Sequence, residues 1–436
     1  MKKIMIFLLA LMTALSVFTA CESEAKPPEN HGGATAAPTE EAQTPTETPS
    51  AEPTVTASEP PEEKLELIEL RSRCIVANAE VGTVYIAPDG RMFAISGENK
   101  DGIFGGAECE PYDLQYDDSF PTQFDDYTIW CIKPGSTPAL LDTDVEKACM
   151  LFYSRYENKY AGEYGESLIY LKNDGTVWLR GSNPKGIFGD FDKAEEPRLL
   201  MENAVNIGAD SFSVAVGTDD GRILAWDLRQ DNGGEPMLIA EHADVSCLAG
   251  SQMYLTEDGE LFARDNWVGN ISDFASYGKD VVRFGNSLST SFWALDKEGV
   301  LKLWRHIDSP ELTEFVLAER VVYACSSETG EGVCCIDAEG HFKYFCYGEK
   351  KAEMSNAAYG GVEYSSCWAI TADDMLFVNF GKGLKPIAGE VAYAVPGVVP
   401  GTVLYATVDG RLFSLGYCTP DSHPMDEPFE IVLPEN

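Results

Sequence analysis

Twelve cysteines, five histidines and an excess of carboxylates are the residues of this 436-residue chain that could do chemistry. The histidines are His31, His242, His306, His341 and His423, and none forms a His-Glu-x-x-His run or a close pair with metal spacing. There is no Gly-x-Ser-x-Gly elbow and no phosphate-binding Gly-x-x-x-x-Gly-Lys loop. Eleven cysteines follow Cys21, at 74, 109, 131, 149, 247, 325, 334, 335, 346, 367 and 418; an odd number forbids complete internal pairing. Cys247, Cys334, Cys335 and Cys367 fall in apolar runs, where a free thiol behaves as a small apolar side chain. Cys334 and Cys335 should point to opposite faces of a strand, so at most one is expected in the core. Cys109 and Cys131 share one insertion and could bridge. That insertion carries nine acidic residues and one lysine between 98 and 128, including Asp117, Asp118, Asp125 and Asp126. Calcium takes clustered carboxylates, but no calcium-loop spacing is present, so a solvated acidic loop is expected; calcium binding within 98–143 stays open. Tyr153, Tyr156, Tyr160 and Tyr164 mark a second segment, read either as a binding loop or as helical spacing against a core.

Cys21 has the most specific surroundings. Lys2 and Lys3 precede an apolar run from 4 to 15, too short to span roughly 30 Å of hydrocarbon. This is the pattern of a removable export signal, 1–20. Phe18-Thr19-Ala20-Cys21 resembles the bacterial lipoprotein box, with Phe18 where leucine is usual. The resemblance implies a diacylglycerol on the Cys21 thiol, a new N-terminus at Cys21, and an extracytoplasmic chain anchored to a bacterial membrane. No later stretch reaches the roughly 18 uninterrupted apolar residues of a membrane helix.

Residues 22–63 hold eight Pro, seven Thr, ten Glu and one Lys, with no aromatic residue and no Leu, Ile or Met. Such a chain cannot bury enough apolar surface to offset its ordering entropy. Proline and like charges keep it extended, so 21–63 is read as a disordered tether. The net charge is −39, of which −32 falls on 64–436. That balance argues against nucleic-acid binding, which needs clustered Lys and Arg, and against electrostatic docking on anionic lipid.

The elements that must position any site come from a repeat. An apolar strand, an acidic-Gly turn and a second apolar strand recur at 84–93, 168–178, 213–224, 253–262, 292–301, 333–342, 367–376 and 403–412. Gly adopts positive φ without steric cost and Asp bonds its own backbone, so Asp-Gly closes a tight hairpin. Asp374 replaces the glycine in the seventh unit and is expected to adopt the left-handed region. Short strands precede the hairpins, as at 204–207, 244–248, 280–284 and 320–323. Another set often follows proline, as at 197–200, 236–239 and 386–387. Four short strands in about 40 residues is the size of one propeller blade. The expected fold is therefore an all-β propeller of seven to eight four-stranded blades over 64–436. The tail 428–433 repeats a strand pattern and could pair with the first blade to close the ring.

Residues 169–190 run strand, Asp-Gly, Val-Trp, then Gly-Ser-Asn-Pro-Lys-Gly-Ile-Phe-Gly. This resembles the repeat of the regulator of chromosome condensation family. Residues 97–105 keep the same glycine-rich turn, and the later units keep only the hairpin. The resemblance implies a propeller, usually of seven blades, that works by gripping a protein. Trp226-Asp227 is a lone pair after a turn, unlike a WD repeat, and Asn173 to Trp178 lacks the spacing of a sialidase Asp box. The expectation is an interaction module without catalysis, cofactor or metal. The alternative is a cell-envelope glycan hydrolase with two carboxylates about 5 to 10 Å apart across the funnel.

Overall fold

The computed structural model describes residues 75–78, 82–97, 110–112, 129–131, 138–155, 163–210, 212–229, 234–264, 274–286, 291–306, 312–326, 332–363, 366–379, 383–396, 403–415 and 427–434. The chain divides into two compact units, Met1–Thr56 and Ala57–Asn436, and the described residues all belong to the second. The expected signal 1–20, Cys21 and the whole expected tether 21–63 lie outside the described residues, as do His31 and His423.

All eight predicted hairpins form, each in its own antiparallel sheet. The eight sheets are the eight blades of a β-propeller. This fixes the blade number at eight, one more than the family resemblance implies. Seven blades have four strands, and the fourth blade has three. The hairpin glycines adopt φ between 79° and 85°, and Asp374 substitutes at φ 62°.

Strand order follows the chain outward in every blade. In blade 3 the innermost strand is Ala204–Ala209, then Ser213–Thr218, Ile223–Asp227 and the outermost Met237–Ala240. The proline-led strands are thus the outer edges of blades. In the last blade Phe429–Ile431 pairs with Leu412–Leu415 of its own sheet. It does not join the first blade, contrary to the sequence expectation. Closure is made by side chains instead: one buried cluster carries Tyr85, Phe93 and Ile95 of blade 1 together with Tyr393, Tyr405 and Leu412 of blade 8.

Both faces of a blade are covered by neighbours, so second strands such as those of blades 3 and 6 do not alternate. All six residues of Ser213–Thr218 and of Gly332–Asp337 are buried. Cys334 and Cys335 are therefore both buried, one against blade 7 and the other against blade 5. The rule that only one could be core assumed a sheet with one wet face.

Strand direction sorts the connections onto two faces. The hairpins and the blade-to-blade turns share one, called here the hairpin face. The connections from first to second and from third to fourth strand share the other, the loop face. On the hairpin face a clasp repeats seven times. The residue before the innermost strand of blades 2, 3 and 5 to 8, and before the irregular first segment of blade 4, takes φ of 57–64°: Asp144, Asn203, His242, Asp280, Arg320, Asn356 and Glu390. The next amide donates to the hairpin carbonyl of the blade just completed, as Val145 to Gly90 and Ala204 to Gly175, at 2.8–2.9 Å. The left-handed residue's own carbonyl accepts from the hairpin of the coming blade, as from Asn173 and Asp219, at 2.7–3.2 Å. Backbone groups at the turn are thereby paired with each other without side chains.

Candidate interaction face

The two segments singled out in the sequence, the insertion after residue 97 and the tyrosine-bearing stretch 153–164, open on the loop face. The 98–143 segment includes the fourth strand of blade 1, Ala139–Asp142, so the connection from third to fourth strand is 98–138. It contains a two-stranded ladder, Glu110–Tyr112 with Ile129–Cys131, rather than loop alone. Cys109 lies outside the described residues, so the Cys109–Cys131 bridge does too. Tyr153 and Tyr164 sit in a long ladder, Val145–Arg155 with Glu163–Lys172, and not in a helix or loop. Tyr156 and Tyr160 lie outside the described residues.

The glycine-rich turn 181–189 has a structural job on this face. Asn183 Nδ2 donates to the carbonyls of Gly189 and Phe191 at 2.9 and 2.6 Å, and its Oδ1 accepts from the Phe188 amide at 2.9 Å. The turn carries Phe188 onto Trp226 of blade 3, ring centroids 5.5 Å apart. Lys185 Nζ donates to the Leu228 carbonyl at 2.8 Å. The motif locks blade 2 to blade 3.

Between blades 3 and 4 lies a buried charged network that the sequence reading missed. Asp210 follows the innermost strand of blade 3. Its carboxylate accepts from the amides of Phe212 and Ser213 at 2.7 Å each and from Ser213 Oγ at 2.8 Å. Asp227 ends the third strand, accepts from the amide and Nε of Arg229 at 2.9 and 2.8 Å, and is also paired by Arg229 Nη2. Ser251 of blade 4 links the two acids: its amide donates to Ser213 Oγ at 2.7 Å and its hydroxyl to Asp227 Oδ2 at 2.8 Å. Burial pushes Asp210 up to about 6, with the donors opposing it. Burial pushes Asp227 upward too, but the Arg229 hydrogen bonds overcome that and hold it below the ordinary carboxylate range.

Arg264 closes the network from blade 4. It is 6% exposed and stacks over Phe274 at 4.5 Å. Burial lowers its pKa, and its Nε and Nη1 have no hydrogen-bond partner among the described residues. Gly250 is required beside it: φ is +64°, and an added Cβ would stand 2.2 Å from Asp210 Oδ2.

This seam also explains the missing strand of blade 4. The segment 244–248 reads as a strand in sequence but is irregular here. Asn206 Nδ2 donates to the carbonyls of Val245 and Ser246 at 2.8 and 3.0 Å. Gly208 and Gly217 let the segment press against blade 3; a Cβ on either would fall within 2.5–2.6 Å of Leu248 or Val245. Cys247, expected within that strand, is instead half-buried in the irregular segment and donates to the Phe284 carbonyl at 3.6 Å.

The carboxylate test for glycan hydrolysis can be applied to this pair. Asp210 and Asp227 have pKa values driven apart, the signature of an acid and a base. Yet both are bridged by serines within a blade seam and filled by protein donors, and they do not face each other across an open funnel. The innermost strands carry other groups: Lys147 Nζ donates to Asn206 Oδ1 at 2.8 Å, and Arg283 stacks over Tyr323 at 5.5 Å.

Of the histidines, His242 serves a clasp and His306 ends a strand. His341 lies with Asp337 and Glu339 in one hairpin, their ligand atoms within 4.8 Å of one another. Asp337 already accepts from Lys343 Nζ at 2.8 Å, His341 Nδ1 at 3.2 Å and two backbone amides. Glu339 pairs with Arg320. These partners account for the cluster as a hairpin lock.

No family model and no curated protein matches the chain. Solved structures do resemble it. BamB from Moraxella catarrhalis is 14% identical with a TM-score of 0.43, over 81% of this chain and 96% of that one. Human WBSCR16 is 15% identical with a TM-score of 0.42, over 70% and 86%. Prp20p from Saccharomyces cerevisiae, the yeast RCC1, is 12% identical with a TM-score of 0.39, over 53% and 78%.

Proposed function

We propose that this chain is a lipid-anchored, extracytoplasmic propeller that binds a protein partner on its loop face and performs no catalysis. The observation that carries the reading is the division of labour between the faces. The hairpin face repeats one backbone clasp, while the long and individual connections gather on the other. Loops on a rigid scaffold are the usual place for recognition. The sequence supplies the address: Cys21 for the acyl group and 21–63 for the reach.

The partner is tested by cross-linking the full chain in its membrane and mapping the captured protein's contacts. Cross-links at loop-face positions such as Lys185 or Lys193 support the reading. Cross-links confined to hairpin-face lysines such as Lys279 and Lys297 would overturn it, as would glycan turnover by the purified chain. The anchor is tested separately with Cys21→Ser, which should move the protein from membrane to soluble fraction; unchanged association refutes lipidation there.

A further inference from the structure

The thiols of blade 6 are arranged for chemistry that neither the repeat nor the interaction reading uses. Cys325 is the fifth residue of the innermost strand Val321–Ser326, and Cys334 the third of the next strand, Gly332–Asp337. The register places them directly opposite each other. Opposite residues in an antiparallel pair have Cα atoms about 4.5–5.5 Å apart, inside the range a disulfide spans. Their sulfurs are 3.1 Å apart. We propose that Cys325 and Cys334 are a redox pair that closes a cross-strand disulfide by exchange with a disulfide donor, Cys325 attacking first.

The two thiols differ in the way such a step needs. Cys325 is partly buried, whereas Cys334 is fully buried. The hydrogen bond from Cys334, the Tyr323 hydroxyl and the positive field of Arg283 hold the Cys325 thiol below its ordinary value. Burial pushes Cys334 well up. The thiolate is the nucleophile, so the group with the lowered value leads. Neighbouring cysteines lack this placement. Cys335 faces the opposite side of the strand, against blade 5, and burial pushes it up to about 12. Burial pushes Cys367 of blade 7 up to about 12 as well.

The Cys325 thiolate attacks one sulfur of a donor RS–SR, forming a mixed disulfide and releasing RS⁻. Cys334 then attacks Cys325 Sγ, displaces the second RS⁻ and passes its proton to that leaving group. Two protein thiols and one donor disulfide become one protein disulfide and two small thiols, and two electrons pass to the donor. The product would staple the innermost strand of blade 6 to its neighbour. That strand pair borders the buried cluster running through blades 7 and 8 to the closing seam.

The test uses the full chain, reduced and then exposed to oxidised glutathione, quenched by alkylation and mapped by mass spectrometry. A Cys325–Cys334 cross-linked peptide is expected, with a higher melting midpoint than the reduced protein by a few degrees. Cys334→Ser should trap glutathione on Cys325, because no thiol is left to resolve it. Cys325→Ser should leave Cys334 unmodified. Wild-type mapping alone decides the pairing if a variant does not fold. Alkylation of both cysteines after oxidation, or a bond from either to a different thiol, overturns the proposal. An adduct on Cys334 in place of Cys325 overturns the order of attack.

Discussion

The two faces of the ring are built by different physics. On the hairpin face, one left-handed residue and two backbone hydrogen bonds join each blade to the next, seven times. The slot accepts unlike side chains: Asp, Asn, His, Arg and Glu all fill it. On the loop face, each seam is individual. Blades 2 and 3 meet through Asn183, Phe188 and Lys185, and blades 3 and 4 through a buried charge network. The contrast teaches that one repeated backbone clasp spaces the blades on the hairpin face, whereas on the loop face each seam is fixed by its own side chains and differs from blade to blade.

That contrast can be broken by substitution. The largest effect is expected at Arg229→Met, which leaves Asp227 buried without its counter-ion. Breaking such a pair costs about 3–5 kcal/mol, read as a lowered denaturation midpoint. Next is Gly250→Ala, which meets both a left-handed backbone and the Asp210 carboxylate; about 1–3 kcal/mol is expected.

Titration should then separate the two acids of the network. Asp210 has its folded value raised to about 6 against an ordinary value of 3.8. Between those values the folded chain holds more protons than the unfolded one. Its contribution to stability is therefore present at low pH and lost as pH rises through about 6. Asp227, with a lowered value, contributes above the ordinary carboxylate range and loses that contribution as pH falls. Asp210→Asn should flatten the slope of melting midpoint against pH between about 4 and 6. An unchanged slope would show that Asp210 does not titrate in the seam.

The smallest effect is expected on the hairpin face. Asp374→Gly relieves the one hairpin slot lacking glycine and should stabilise by about 0.5–1 kcal/mol. If this change matched the Arg229 effect in size, the division between the faces would fail.

The hairpins were legible in sequence because Asp-Gly followed by an apolar run specifies a local turn. Even the exception at Asp374 was legible, since Asp tolerates positive φ. The clasps were not legible, because residues as unlike as Arg320 and Glu390 serve the same backbone geometry. Segment 244–248 has a strand's pattern but yields to Gly208, Gly217 and Asn206, which belong to a different blade. The same limit hid the network of Asp227 and Arg264: its members are far apart in sequence, and Trp226-Asp227 drew notice only as a motif to discount.

The sequence by itself determined the eight hairpins, the acidic exterior, and the order of repeat, insertion and tail, because these rest on local turn chemistry and composition. Only the tertiary structure decided that the tail closes its own blade, that both Cys334 and Cys335 are buried, and that Cys325 meets Cys334. The reason is that a blade in a ring is covered on both faces, so its neighbours set the environment of a side chain more than the alternation of its strand does.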